Sequence, residues 1–292
     1  MTLEQLRIFI AVAERQHVTR AAGELNLTQS ATSAAIAALE ARYGVKLFDR
    51  IGRGIVLTQT GRDFLAEARG VVARARDAVQ VLNDLAGLKR GSLALAASQT
   101  VANYWLPPRL QTFQQVHPGI ELRVSIANTE QVAQAVHDGE ADLGFVEGTV
   151  ADPLLTARSI DGDELAVVVG VGHPWAARQR VTAKQLTSTG WVLREPGSGT
   201  RAMFEAALKK HGVMPSQLRV VLELPSNEAV RAAVESGDCA TAISDLVVAR
   251  SLEAGVLHRL DFELPRRSFF LLRHRERHAS KAETALLESF GV

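Results

Sequence analysis

Short hydroxyl and amide side chains gather at four points in the second two-thirds of this chain, each after a run of strand character and before one of helical spacing: Ser98-Gln99-Thr100, Asn128-Thr129, Ser198-Gly199-Thr200 and Ser226-Asn227. The first turn of a helix carries N–H groups with no intrahelical partner and the positive end of the helix dipole, so several such starts together can bind a small anion. Taken singly, each is what an ordinary N-cap looks like. Their recurrence at strand ends is what points to a ligand, because in open α/β sheets those ends meet at one cleft. Arg194-Glu195-Pro196-Gly197-Ser198-Gly199-Thr200-Arg201 adds Gly197 and Gly199, which let backbone approach a ligand closely. It lacks the Gly-Lys pair of a phosphate-binding P-loop. Glu147 follows the apolar Leu143 to Val146 and has two readings. Either it points into the cleft, where it disfavours a large anionic ligand, or it is an exposed strand-end carboxylate.

A fifth polar start, Thr28-Gln29-Ser30 with Thr32 and Ser33, opens a helical segment near the N-terminus. Small polar side chains and backbone N–H groups at a helix start can reach base edges and grip phosphates. Catalytic chemistry has no comparable set. His274 and His278 share helical spacing but stand in Arg-His-Arg-Glu-Arg-His, where crowded cations oppose a metal, so a solvated basic face is expected. His173-Pro174-Trp175 reads as a turn with a packed indole, and Cys239 as a small buried apolar residue. Gly197-Ser198-Gly199 is not the Gly-x-Ser-x-Gly elbow of hydrolases. No enzyme, no metal and no cofactor are expected.

The elements that must position these groups follow from periodicity. Leu3, Leu6, Phe9, Ile10 and Ala13 mark an amphipathic first helix ending near Gln16. Thr19 to Leu25 make a short second helix, and Thr28 caps a third that runs to about Arg42. On it Ala31, Ala35, Ile36, Ala38 and Leu39 are expected to face the core. Leu47 to Arg50, Gly52-Arg53-Gly54 and Ile55 to Thr58 suit a basic two-stranded wing presenting Arg50 and Arg53. From Gly61 to about Leu88, Leu65, Ala68, Val72, Ala75, Val79, Leu82 and Ala86 recur alternately at three and four, a seam fit for pairing with a second copy. A dimer would set two recognition helices on successive turns of duplex, so the target is an interrupted inverted repeat. The fold class is multidomain α/β. A winged helix-turn-helix occupies residues 1–60, a linker and dimerisation helix 61–90, and a two-lobed α/β domain 91–292. Strands are expected at Leu93 to Ala97, Ile120 to Ile126, Leu143 to Val146, Leu165 to Val169, Trp191 to Leu193, Val220 to Leu224, Ala240 to Ile243 and Ser268 to Arg273. Lobe I spans 91–161 and 267–292, lobe II 162–266, and the chain crosses near Ile160 to Asp163 and near Leu264 to Arg267.

Charge agrees with this division without proving it. Residues 1–90 carry 13 Lys/Arg against 9 Asp/Glu, while 91–292 carry 20 against 23. The longest apolar stretch, Leu165 to Gly172, is far short of the ~20 residues of a membrane span. Met1 to Arg15 lacks the layout of a signal peptide, and one cysteine allows no internal disulfide, so a cytoplasmic protein is expected.

Leu6, Phe9, Ala21-Ala22, Leu25, Thr28-Gln29-Ser30, Ser33, Ile36, Leu39-Glu40, Leu47-Phe48, Arg50 and Leu57-Thr58 with Gly61 closely resemble the LysR-type transcriptional regulators. The Gly197 to Thr200 segment, and Ser98-Gln99-Thr100 before Trp105-Leu106-Pro107, resemble that family's effector-contacting stretches, so the likeness covers essentially the whole chain. It implies a hinged C-terminal domain of the periplasmic-binding-protein type, a homodimer assembling to a homotetramer, double-stranded DNA and a small effector as ligands, and RNA polymerase as a further candidate partner. Two departures stand out. Ala34 occupies a position where many members carry a long polar or basic residue, which leaves base readout to Gln29, Ser30 and Thr32. Gly237-Asp238-Cys239-Ala240 replaces a glycine, apolar residue, glycine pattern and leaves one cleft wall open to question. The competing readings are a cytoplasmic solute-binding or transferase-like module whose N-terminal bundle only drives assembly, and an enzyme using the anion cleft.

Overall fold

A computed structural model describes residues 1–51, 54–85 and 91–291, and the chain falls into two compact units, residues 1–88 with 138–140 and residues 89–137 with 141–292. In the first, α1 (Leu3–Arg15) starts at a capping box in which Thr2 Oγ1 accepts from Gln5 N and Gln5 Oε1 accepts from Thr2 N. Helix α2 (Val18–Glu24) and helix α3 (Gln29–Tyr43) follow. Gly44, at φ +65°, ends α3 in the left-handed conformation that a residue without Cβ adopts freely. Strands β1 (Phe48–Ile51) and β2 (Gly54–Leu57) pair antiparallel as the wing, and α4 (Gln59–Leu85) completes the unit. Leu6, Phe9, Val12, Ile36, Leu39 and Leu47 share one core with Ala68 and Val72 of α4.

Two expectations change here. Ala31 and Ala38 are exposed and Thr32 is wholly buried, so the inward face of α3 is turned from the one expected. The apolar seam of α4 is also split between two uses. Its first half, at Ala68 and Val72, packs on its own unit, while Val79, Leu82 and Leu85 stand exposed. Wing residues Gly52 and Arg53, and Ala86 at the end of the seam, lie outside the described residues.

In the second unit β3 (Gly91–Ser98) leads through one π-helical turn, Val101–Trp105, into α5 (Leu106–Val116). Strand β4 (Ile120–Ala127), α6 (Thr129–Asp138), β5 (Leu143–Glu147) and β6 (Leu155–Gly170) follow. The chain continues with β7 (Gly190–Arg194), α7 (Gly199–Lys210), β8 (Arg219–Leu224), α8 (Asn227–Ser236), β9 (Cys239–Ser244), α9 (Asp245–Glu253), β10 (Leu257–Leu260), β11 (Arg266–His274) and α10 (Lys281–Ser289). Strands run in the order β4-β3-β5-β11-β6-β9-β7-β8, with β10 beside β6. Parallel pairs β3–β4, β3–β5, β7–β8 and β7–β9 build the body of each lobe.

Residues 160–163 lie within β6, while in the second crossing Leu264 and Pro265 precede β11, which begins at Arg266. Strand β6 runs unbroken for 16 residues, paired with β11 as far as Glu164 and with β9 from Leu165 onward. Burial on both faces explains its second half: Val167 and Val169 join one core with Trp191 and Phe204, and Ala166 and Val168 another with Val230 and Ile243. Lobe I has the same two-faced plan, Leu95, Phe145 and Phe269 on one side and Ala96, Val146 and Leu272 on the other. The His173 to Trp175 turn matches its reading, with the rings 5.1 Å apart. His274 does not: it ends β11, is buried, and faces the His137 ring at 6.3 Å, so the spacing to exposed His278 is not helical.

Candidate functional site

Helix α3 presents the first polar surface. Thr28 Oγ1 accepts from Ala31 N at 3.2 Å and lies 3.0 Å from Ser30 Oγ. Thr28, Gln29 and Ser30 are exposed, and Ser33 is half-buried. Thr32 is corrected: its hydroxyl donates inward to Thr28 O at 3.1 Å, and a fully buried side chain cannot read a base. Arg50 projects exposed from β1, while Arg53 is among the residues not described. Sequence reasoning missed what fixes the wing to the helix. Glu40, near the end of α3, is buried, and its Oε1 accepts from the backbone N–H of Leu47 at 2.8 Å and of Phe48 at 3.2 Å. Lys46 Nζ pairs with its other oxygen at 3.0 Å. Burial pushes the Glu40 carboxyl up, but the two amides and the ammonium outweigh it and hold the group below the usual carboxylate range. A carboxylate at an otherwise apolar helix position, eight residues before a strand, was the available signal.

The second site lies where the carboxyl ends of β3, β5 and β7 meet between the lobes. All four predicted clusters reach it. Three are caps in the ordinary sense, with Asn128, Ser198 and Ser226 accepting from Gln131, Arg201 and Ala229 N–H groups. Glu147 resolves in favour of the inward reading, at 1% exposed. Ser98 Oγ donates to its Oε2, and Thr100 and Thr200 hydroxyls to its Oε1 at 3.5 and 3.4 Å. Thr129 Oγ1 donates to its backbone carbonyl at 3.1 Å. Burial pushes the Glu147 carboxyl up, with Arg267 opposing and Asp163 reinforcing the shift.

Arg267 and Asp163 were read from sequence only as lobe crossings, yet they are the charged centre of the cleft. Arg267, fully buried, grips Asp163 through Nε at 2.5 Å and through Nη2, reaches Thr200 Oγ1 at 2.9 Å, and sits 3.7 Å from Glu147 Oε1. Ser244 Oγ donates to Asp163 at 2.5 Å. An Arg and an Asp in two short crossings of one sheet were the only sequence signal for the pair.

Further bonds tie the lobes together. Gln99 Nε2 donates to Pro225 O at 2.6 Å and its Oε1 accepts from Asn227 N at 2.9 Å. Asn227 Nδ2 donates to Thr100 at 3.1 Å while its Oδ1 accepts from Arg194 at 2.5 Å. Asn128 Nδ2 reaches Glu195, itself paired with Arg194 at 2.8 Å. Gly197, at φ +86°, places its carbonyl against Glu130 N. A Cβ on Gly199 would strike Glu147 O and Thr129 Oγ1, so only glycine permits this approach. The donors expected to await a ligand are thus satisfied within the chain. Space remains beside them, in a recess of about 410 Å³ lined by Glu130, Glu147, Gly148, Asp152, Ser198 and Met203 among others. The Gly237 to Cys239 departure lies away from all this. Cys239 pairs with Gly190 at the start of the strands, opposite the end that carries Arg194.

Among the described residues no helix is long and apolar enough to cross a membrane. Residues 3–62 match the model of the bacterial regulatory helix-turn-helix protein, lysR family, and residues 86–291 that of the LysR substrate binding domain. The HTH-type transcriptional regulator YeiE of Escherichia coli (strain K12) is 34% identical over 290 residues, covering 99% of this chain and 96% of its own. Full-length CbnR, solved in complex with its target DNA, has a TM-score of 0.69 at 21% identity, covering all of this chain and 99% of that one. The CcmR regulatory domain of Synechocystis PCC6803, solved in complex with 2-PG, covers 69% of this chain and 96% of its own at 28% identity and TM-score 0.63.

Proposed function

This chain belongs to the LysR family of bacterial helix-turn-helix transcriptional regulators, and from that premise we propose which residues meet its DNA and what its effector site holds. It is a DNA-binding transcriptional regulator with an effector-binding domain, and not an enzyme. Thr28, Gln29, Ser30 and Ser33 of α3 enter the major groove, with Arg50 and Arg53 of the wing on the flanking backbone. The observation that carries this is the exposed polar start of α3: Gln29 makes no side-chain bond among the described residues, so its amide is free to pair with a base edge. The seam of α4 left exposed at Val79, Leu82 and Leu85 pairs two copies on an interrupted inverted repeat. Two further apolar strips, at opposite edges of the sheet on β4 (Val124, Ile126) and β8 (Val220, Val221, Leu222), give the other interface that a homotetramer needs. The protein works in the cytoplasm, with RNA polymerase as the partner that its effector-dependent state addresses.

The effector is a small anion held between the lobes by the hydroxyls of Ser98, Thr100 and Thr200 with Arg267. The 2-PG complex of the CcmR regulatory domain supports a small molecule as the ligand of such a domain. Replacing Gln29, Ser30 and Ser33 together with Ala is expected to lower affinity for the protected upstream sequence at least about 100-fold, each lost base contact counting roughly 1 kcal/mol or more. A gel-shift titration at fixed salt measures this, with circular dichroism to show the fold intact. Unchanged affinity would refute the assignment of α3.

A further inference from the structure

A carboxylate already sits in the place where an anionic effector would be held. Glu147 receives Ser98 and Thr100 from lobe I and Thr200 from lobe II, and Arg267 lies 3.7 Å from the oxygen that the two threonines share. Three hydroxyls and a guanidinium, drawn from both lobes and shielded from solvent, form the donor set that a free carboxylate or oxyanion requires. Asp163 takes the close two-pronged contact with Arg267, so Glu147 holds the weaker share of one positive charge. Its bonds to Thr100 and Thr200, at 3.5 and 3.4 Å, are long. Burial also holds its carboxyl above the usual range. The recess of about 410 Å³, which Glu147 lines together with Gly148 and Ser198, adjoins it.

We propose that Glu147 is a tethered occupant of the effector's own anion cradle, bridging the lobes in the ligand-free protein and leaving for the adjoining recess when an anionic effector takes its place. The residue then sets the effector concentration at which the regulator responds, because every anion must outcompete a carboxylate whose local concentration is fixed by the chain. This rests on the anionic-effector reading above and goes beyond it.

The test is chemical rescue in the full-length chain. Glu147→Ala leaves the donors in place and removes the carboxylate, so sodium formate or acetate should bind it saturably and raise its Tm on the order of 5 °C above sodium chloride of equal ionic strength. The unsubstituted protein should show the same Tm in all three salts. Adding Thr200→Val to Glu147→Ala should weaken formate at least tenfold, as judged by the midpoint of the Tm titration. Equal Tm in formate and chloride for Glu147→Ala, or an equal response of the unsubstituted protein, overturns the proposal. If Glu147→Ala folds only when purified in formate and unfolds on dialysis into chloride, that dependence is itself the rescue. Aggregation at every formate concentration overturns it. Failure of the anionic-effector reading looks different: formate rescues the variant, yet no small organic or phosphate anion changes the Tm or operator binding of the unsubstituted protein.

Discussion

Helix α3 and the interlobe cleft begin from the same kind of sequence and end in opposite electrostatic conditions. At α3 a cap and the polar residues after it remain turned to the outside, with Gln29 uncommitted. In the cleft, four similar starts are turned on one another until nearly every donor has a partner inside the chain. The carboxylates at the two places repeat the contrast. Glu40 is held by backbone amides that cannot move away, and its proton affinity falls. Glu147 is held by rotatable hydroxyls and a guanidinium shared with Asp163, and its proton affinity rises. A buried acid fixed by main-chain donors acts as a clamp, whereas one fixed by side chains that could serve a ligand is replaceable.

The largest test of that contrast is Arg267→Met. Removing the cation that two buried carboxylates share leaves Asp163 and Glu147 facing each other without it, and about 3–5 kcal/mol of stability should be lost in urea denaturation. A loss under about 1 kcal/mol would mean that the cleft does not depend on its charged centre. Glu40→Gln is the matching test at the wing, with an expected cost of about 1.5–3 kcal/mol at neutral pH for charge-assisted bonds. The folded carboxyl lies below its ordinary 4.5, so its stabilisation is complete above that pH and is lost as pH falls through the depressed value. The difference between Glu40→Gln and the unsubstituted protein should therefore shrink as denaturation is repeated towards pH 3. A constant difference would remove the charge from the explanation. Glu147 has the opposite sign, its burial costing most when it is ionised and easing as pH falls. The smallest effect is reserved for Thr32→Val. It should cost about 0.5–1.5 kcal/mol through the lost bond to Thr28 O and leave operator affinity unaltered in the gel-shift assay. A changed base preference would return Thr32 to the DNA surface.

Strand positions were the part most legible in the sequence, since Leu93 to Ala97 or Val167 to Val169 are apolar on both faces and bounded by polar ends. The stretch Thr156 to Glu164 was not, because its alternation of charge and hydroxyl resembles a loop. Only pairing along β11, with Arg266 and Arg259 meeting Glu164, makes it a strand. The short β10 carries His258 and Arg259 between two leucines, too brief for any period to register. Thr32 was misplaced because α3 is built from Ala, Ser and Thr, whose sizes and polarities give its inward face little contrast. Arg267 and Asp163 are far apart in sequence, and no spacing rule joins them. The cleft's membership could be read one cluster at a time, but the way its members satisfy one another could not.

Between the lobes runs a two-stranded ribbon rather than a pair of flexible tethers. Strands β6 and β11 stay hydrogen-bonded through the crossing, with a register shift between Phe269 and Phe270 that leaves Ile160 unmatched, and with Gly162 pressed against the Arg267 carbonyl. Such a ribbon resists stretching and sliding but yields to torsion at its irregularity. Exchange of one occupant for another in the cleft would therefore rotate one lobe against the other about the ribbon axis by a small angle, and the message passed onward would be a change of handed twist.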